Sequence, residues 1–560
     1  MIPARTLERY CLALAVGSLG MLNILCAWLA HHPVRVRLLS RVLPHAVLHA
    51  TWVLTTLAGT GLVLLAWGLA RGKRRAWQLA AGLLVLAAAA HLLKGRHHDV
   101  AALDLTALVV LLARRRTFRA TSDPPALKQA LAAAAAWTGA IYLYALLGLY
   151  LMDRYFHVSL SLTLAASAAL RLLVGSLPAA ANPPTLHAAW FLDSLLLLEV
   201  SGVATVFLLL FRPVAYRWVV EPAARQRTRA ILRRHGRSAI AHLTLLPDKA
   251  YYFAPSGAAF LAYRLVGNVA VVLGDPVGPP EEMEAAIKGF AEICSHNDWQ
   301  PVFYQVLPDY LEIYSRLGFK HLKIGEEAVM DLSDFDLAGS RWKTVRQAVN
   351  RALRRGYRTR LILPPVDDAT MAALKEVSDE WLRHRKGGEK MFSLGWFEPD
   401  YLRQTPVMVV EDERGKIQAF ANIIPTYQLG QGTIDLMRRR TDADNGVMEL
   451  LFVALARYFR AQGHRAFNLG LAPLAGLRSD QGPLAERTLA LVFDRFNYFY
   501  RFQGLKRFKE KFHPRWEPRY LVYPGTLALP KAGLAVVRAN AGGSLRAYFK
   551  RPGFTTRGRD

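Results

Sequence analysis

The sequence predicts two parts of different class: an α-helical integral membrane region, then an α/β region built from two similar halves in tandem. Three observations carry this reading. Apolar runs long enough to cross a bilayer are confined to residues before Pro213. From Ala239 onward the pattern changes to short strands alternating with amphipathic helices. The chain is 52% hydrophobic yet carries a formal charge of +28, a pairing foreign to one compact soluble domain.

In the region 1–213, spans are expected at about 10–30, 46–70, 76–93, 100–113, 127–152 and 186–211, six in all. The fourth is short and holds Asp104. An amphipathic piece at 162–177, with Arg171 inside it, reads as interfacial or re-entrant. The first apolar run continues to Ala30 without a cleavage site, so a retained anchor is expected and not a signal peptide. Lys and Arg concentrate at the N-terminus, at 71–75, at 114–119 and after Phe211. That bias puts these segments, and with six spans both termini, on the cytoplasmic side of the cell membrane. Asp193 and Glu199 fall within the last span, where a carboxylate is expected to face a bundle interior or water. Cys11, Cys26 and Cys294 show neither metal-ligand spacing nor a disulfide framework, and no metal site is expected.

Through Pro213 there are 19 Lys or Arg against 7 Asp or Glu, so more than half of the positive charge lies beyond it. The segment 214–238 is a basic juxtamembrane linker, with Arg225, Arg227, Arg229, Arg233 and Arg234 close together, suited to lipid headgroups or RNA. Residues 239–340 read as the first half: strands near 250–253, 258–265 and 268–273, a Gly274–Gly278 turn, then helix, strand, helix, strand. A basic connecting helix fills 341–365. Its Arg346, Asn350 and Arg354 share a face by i, i+4 spacing, with Arg351 and Arg355 beside them, a pattern that suits phosphate backbones. Residues 366–525 read as the second half, and 526–560 as a basic C-terminal tail. This element order is that of GNAT-type acyltransferases.

The most suggestive stretch is Thr433–Phe452. Period-two alternation points Ile434 and Leu436 one way and Asp435 and Met437 the other, and the strand ends in Arg438-Arg439-Arg440. An Asn-Gly turn and an amphipathic helix follow. A carboxylate and a guanidinium three residues apart at a strand end are placed to project into a cleft.

Several segments together resemble the phosphatidylglycerol lysyltransferases, the multiple peptide resistance factor family of aminoacyl-phosphatidylglycerol synthases. They are GDPVG at 274–278, WKTVRQAVNRA at 342–352, IDLMRRR at 434–440, NGVMELLF at 445–452, FNLGLAPLAGL at 467–477 and FQGLKRFKEKFHPRWEPRYLVY at 502–523. The resemblance implies a tandem GNAT-like domain that takes an amino acid, lysine being the family's type case, from aminoacyl-tRNA. It implies esterification to a hydroxyl of phosphatidylglycerol at the cytoplasmic membrane face, lowering the membrane's negative charge and favouring resistance to cationic antimicrobial peptides. It implies no cofactor, since tRNA replaces coenzyme A as donor, and as partners aminoacyl-tRNA, phosphatidylglycerol and anionic lipid. A homo-oligomer through the membrane region is a further expectation.

Within that chemistry Asp435 is expected to orient the lipid hydroxyl or bind the donor's α-amino group. Arg438 is expected to stabilise an oxyanion or phosphate. Lys511, with Lys509 near it, is expected to meet phosphate or leaving-group charge, and Glu449 the donor ammonium. The basic helix and the lysines at 506–511 are expected to serve the same cleft. Long relatives carry further spans that act as a flippase, and with about six spans this chain is expected to lack that module. The alternatives are an alanyl donor, another lipid acceptor, or a membrane transporter or lipid sensor without tRNA dependence.

Overall fold

The computed structural model describes residues 2–30, 45–93, 98–118, 124–151, 161–173, 186–210, 222–333, 335–384, 389–473 and 502–542. The chain divides into two units, one built mainly from Met1–Ala215 and the other from Tyr216 onward.

The first unit is helical: α1 (Ile2–Ala30), α2 (His45–Ala70), α3 (Arg74–Leu93), α4 (His98–Ala113), α5 (Pro124–Leu151), α6 (Leu162–Leu173) and α7 (Leu186–Leu210). Five of these are long and apolar enough to cross a membrane: α1, α2, α3, α5 and α7. The fourth expected span is α4, only 16 residues long, and the amphipathic piece is α6, of 12. Small residues let α1 and α2 approach closely: a Cβ on Gly20 would stand 2.6 Å from the Gly59 carbonyl oxygen. One core joins α1 to α4 through Val16, Leu65, Leu84 and Leu111. Another joins α5, α6 and α7 through Leu149, Ala169 and Phe191. Leu14, Val109, Leu147 and Leu197 point outward, as side chains facing lipid do. Asp104 is fully buried and accepts from Asn23 at 3.2 Å, and Asn23 in turn bonds His91 at 2.7 Å. Of the two carboxylates expected to face inward on α7, Glu199 is buried and Asp193 is exposed.

The second unit is one eleven-stranded sheet in the order β1-β2-β3-β4-β11-β5-β10-β9-β8-β7-β6. Its strands are β1 (Ala250–Phe253), β2 (Phe260–Val266), β3 (Val269–Leu273), β4 (Gln300–Val306), β5 (Lys320–Asp331) and β6 (Arg358–Ile362). Then come β7 (Val407–Glu411), β8 (Ile417–Ile424), β9 (Gln431–Arg439), β10 (Ala466–Pro473) and β11 (Arg515–Tyr523). Helices are α8 (Pro222–His235), α9 (Met283–His296), α10 (Leu311–Arg316), α11 (Lys343–Arg354) and α12 (Asp368–Arg383). They continue with α13 (Pro399–Arg403), α14 (Val447–Ala461), α15 (Phe502–Glu510) and α16 (Leu529–Asn540). Each half has antiparallel strands leading to a parallel pair joined by a helix: β3-α9-β4 and β9-α14-β10. This is the tandem GNAT-like arrangement.

Two boundaries differ from the sequence reading. β6 opens the second half inside the stretch assigned to a connecting helix, so that helix ends at Arg354. The expected basic tail is, through Asn540, the packed helix α16, whose Leu529, Ala532 and Val536 join β3, β4 and β11 in one core. β11 itself inserts between β4 and β5 of the first half, so the halves share a sheet and the chain crosses between them. Helices cover both faces of the second half: α11 and α14 on one, with Val345, Val349 and Leu451, and α12 on the other, with Met371, Leu374 and Val377.

Candidate active site

β9 and β10 pair only over Gln431–Thr433 and 466–468. Beyond this β9 follows β8 and β10 follows β5, so a wedge opens at the carboxyl ends of a parallel pair. That is where α/β sheets present ligand sites.

A bulge then re-aims β9. Ile434 pairs with Ile423 and Met437 with Ala421, leaving two residues of β9 opposite Asn422. The buried Asn422 accepts the Leu436 N–H through Oδ1 at 2.8 Å, which satisfies the interrupted ladder. Strict alternation therefore fails. Ile434 and Met437 pack toward α11 and α14, whereas Leu436 packs toward α12. Asp435 and Arg438, which an unbroken strand would put on opposite faces, both come to the α12 side.

They are held there by the segment 389–401, which lies over the sheet as a strap. Gly395 N–H donates to Asp435 Oδ1 at 2.8 Å, and Tyr401 O–H donates to Oδ2 at 2.8 Å. Only glycine permits this approach, because a Cβ at 395 would stand 1.9 Å from Asp435 Oδ2. Arg438 is buried. Its Nη1 donates to Ser378 Oγ, its Nη2 pairs with Glu389, and its guanidinium lies 5.3 Å from the Trp381 ring centre. Farther along the strap, Met391 N–H donates to the Asn540 carbonyl at 2.9 Å and Ser393 Oγ donates to Asn540 Oδ1 at 2.5 Å.

The first half supplies the opposing charge. Lys249, at the start of β1, has a fully buried side chain 2.5 Å from Asp248 Oδ1 and 5.3 Å from the Phe392 ring centre. Burial pushes the Asp435 carboxyl up, opposed by its two hydrogen bonds and the charges of Arg438 and Lys249. Burial pushes the Lys249 ammonium down, opposed by Asp248 and, more weakly, by Asp435. His242 stacks on Tyr401 with ring centres 6.5 Å apart and bonds Tyr427 O–H through Nδ1 at 2.9 Å. Burial, helped by the Arg229 charge, lowers His242 to about 4, so its ring is neutral at physiological pH. A carboxyl pushed up near an ammonium pushed down, with a tyrosine hydroxyl bridging to solvent-poor aromatic surroundings, can take a proton from a hydroxyl and return it.

Of the other expected site residues, Lys509 reaches the carboxyl end of β10, and the rest lie on the α11 and α14 side of the sheet. Lys511 pairs with Glu449 at 2.7 Å on the α14 side of the sheet, away from Asp435. Lys509 is buried, donates to the carbonyls of Gly470 and Leu471 at 2.8 and 3.0 Å, and is lowered to about 7 by burial against the opposing charge of Glu327. On α11, Arg346 is tied to the carbonyls of Leu337 and Gly339 at 2.6 and 2.8 Å, and Arg355 to Asp444. Asn350, Arg351 and Arg354 are exposed, on the face opposite the Asp435 strap. Among the described residues no group of three or more His, Cys, Asp or Glu could hold a metal.

A family model described as phosphatidylglycerol lysyltransferase, C-terminal, matches residues 229–523, more than half of the chain. The chain belongs to this family. It is 36% identical over 340 residues to the phosphatidylglycerol lysyltransferase of Bacillus subtilis, covering 60% of this chain and 40% of that protein. It is 35% identical over 310 residues to the enzyme of that name from Staphylococcus epidermidis, covering 55% and 37%. The chain thus spans well under two thirds of the length of these relatives. The solved structure of L-PGS from Bacillus licheniformis is 36% identical with a TM-score of 0.52, covering 57% of this chain and 96% of that one. The C-terminal domain of a putative lysylphosphatidylglycerol synthetase from Agrobacterium fabrum gives the same identity and score, covering 57% and 98%.

The sequence points to Asp435 and Arg438, whereas Lys249, Tyr401, Gly395 and Glu389, which the structure groups with them, carry little local signal. Lys249 sits in an ordinary strand-entry context, Pro-Asp-Lys-Ala-Tyr-Tyr, and nothing local marks it. Gly395 offered a faint signal, an isolated glycine between Leu394 and Trp396 in a segment without periodicity.

Proposed function

We propose that the chain is an aminoacyltransferase that moves a lysyl group from aminoacyl-tRNA to phosphatidylglycerol at the cytoplasmic face of the cell membrane. A glycerol hydroxyl oxygen attacks the ester carbonyl, the carbon–oxygen bond to the tRNA ribose breaks, and the hydroxyl proton passes to the departing ribose oxygen. The observation that carries this reading is the buried Asp435 carboxyl beside the wedge between β9 and β10, held by the Gly395 N–H and the Tyr401 O–H, with the buried Lys249 ammonium close enough to act on it electrostatically. Asp435 orients the acceptor hydroxyl and takes its proton. Lys249 lends positive charge to the tetrahedral oxyanion. Arg438 acts as a positioning residue, bracing the strap that sets Asp435. The exposed Asn350, Arg351 and Arg354 lie on the other face and would meet the body of a large RNA, not its reacting end.

Adding lysine turns an anionic lipid into a cationic one, which lowers the attraction of the membrane for cationic peptides. Lipid extracts from cells making the chain, resolved by mass, test this reading. A new lysyl-phosphatidylglycerol that is absent with Asp435→Asn supports it, and a mass shift of alanine would reassign the donor. An unchanged lipid profile with the protein present in membranes would rule the reading out.

A further inference from the structure

The arginines of α8 take no part in the chemistry above. Arg225, Arg229 and Arg233 recur every fourth residue and so form one row along the helix. No ion pair with an acidic side chain joins them among the described residues. The nearest such pair, Arg237–Asp309 at 3.3 Å, lies beyond the helix end. Three adjacent unpaired guanidinium groups repel one another unless an anion joins them.

The row is fixed beside the candidate site. Thr228, Ile231 and Leu232 bury the neighbouring face of α8 against β2 and the turn at Val277. Gln428 donates its N–H to the Gly236 carbonyl at 2.8 Å and its side-chain amide to the Arg233 carbonyl at 3.2 Å. The loop leading into β9, and hence to Asp435, is thereby pinned to the end of α8. Arg229 lies close enough to act electrostatically on His242, Tyr251 and Tyr427, as Arg225 does on Tyr251 and Arg233 on Tyr427. His242 in turn stacks on Tyr401, whose hydroxyl reaches Asp435. Asp248, which like Arg225 and Arg229 acts electrostatically on Tyr251, is already engaged by Lys249 at 2.5 Å and Arg264 at 3.2 Å. Arg225 also keeps a buried Nε with no hydrogen-bond partner, a donor whose burial costs free energy until something accepts from it.

We propose that Arg225, Arg229 and Arg233 form the seat for the phosphodiester of the acceptor phospholipid, holding its headgroup so that the free hydroxyl reaches Asp435 along the wall of His242 and Tyr401. This rests on the transferase reading above. A lipid is chosen over RNA because α8 begins within twelve residues of the end of the apolar helix α7. Guanidinium groups suit this role, since each can offer two parallel donors to one phosphate. The aromatic wall would accommodate the glycerol backbone without demanding further charge.

The test uses the full chain in neutral detergent, with dihexanoyl phosphatidylglycerol, dihexanoyl phosphatidylcholine and inorganic phosphate as calorimetric titrants. Wild type should prefer the phosphatidylglycerol, and Arg225→Gln/Arg229→Gln/Arg233→Gln should weaken its binding by about tenfold or more. The triple Arg→Lys variant keeps charge and checks folding, and should retain intermediate affinity. Arg351→Gln/Arg354→Gln on α11 should bind the lipid as wild type does. Equal affinity for phosphatidylcholine, equal competition by inorganic phosphate, or unchanged binding by the Gln variant would each overturn the seat. In turnover, the Gln variant should raise KM for the lipid and leave that for the aminoacyl-tRNA unchanged, whereas a rise in the tRNA KM alone would assign the row to RNA. If wild type forms no aminoacyl-lipid at all, the transferase reading fails while the binding measurements still decide the seat.

Discussion

Replacing Gly395 by Ala tests whether the strap sets the candidate site. The added Cβ would stand 1.9 Å from Asp435 Oδ2 and 3.0 Å from Tyr401 Cε1. An unstrained contact needs about 3.5 Å, so strap and carboxylate must separate by roughly 1.5 Å. That displacement breaks the 2.8 Å bond from Gly395 N–H to a buried carboxylate. Losing a hydrogen bond to a charged group costs about 1.5–3 kcal/mol, and overpacking adds about 1–3 kcal/mol. A shift of 1 Å or more in a reacting group lowers turnover by about a hundredfold. The assay is aminoacyl-lipid formed per unit of membrane-inserted protein, with thermal unfolding of the purified chain alongside. Activity within twofold of wild type, with stability unchanged, would refute the reasoning about the strap.

Other substitutions separate the two faces of the sheet. Lys249→Met should reduce product at least as far as Asp435→Asn, while Lys511→Ala should stay near wild type. Lys511 is partly exposed and its pair with Glu449 is worth about 1 kcal/mol or less. Comparable losses from both lysine variants in an initial-rate assay would contradict this division. Arg438→Ala leaves Glu389 without its buried partner and should destabilise the chain by about 3–5 kcal/mol, read as a fall in unfolding midpoint, with Arg438→Lys recovering only part. Lys509 should impose a pH dependence on stability. Its folded-state value of about 7 lies below the ordinary lysine value, so between the two the unfolded chain binds more protons and stability rises with pH. Unfolding midpoints compared between wild type and Lys509→Met from pH 7 to pH 10 should show the slope diminished in the variant, and parallel curves would refute the assignment.

The sequence displayed its two-part class openly, because apolar runs in α1, α2 and α7 and strand-and-turn patterns after Ala239 are local signals. Asp435 and Arg438 were also visible, but not how they meet. Their common side depends on a bulge whose cause is Asn422 on the neighbouring strand, and a period-two reading of β9 alone assigns the faces wrongly. The side of the sheet on which Lys511 and Glu449 lie was illegible for a similar reason. They are charged residues near a functional-looking stretch, but α14 and α15 pack on the far side of the sheet, and sheet face is a tertiary property. Lys249 was illegible because its pair with Asp248 looks like an ordinary local contact, while Asp435, on which its charge also acts, is about 190 residues away in the other half of the tandem. In the sequence α16 reads as part of a basic tail, because the arginines after Asn540 mask the apolar row of Leu529, Ala532 and Val536.

The central claim is transfer from aminoacyl-tRNA to phosphatidylglycerol by a site built on Asp435. The most direct measurement adds lysyl-tRNA carrying labelled lysine to vesicles of phosphatidylglycerol containing the full chain, and follows label into the lipid phase. Label should enter the lipid with wild type, stop when ribonuclease destroys the donor beforehand, and fail to enter with Asp435→Asn inserted at equal amount. Labelled lipid formed equally after ribonuclease treatment, or by the Asp435→Asn chain, would contradict the account.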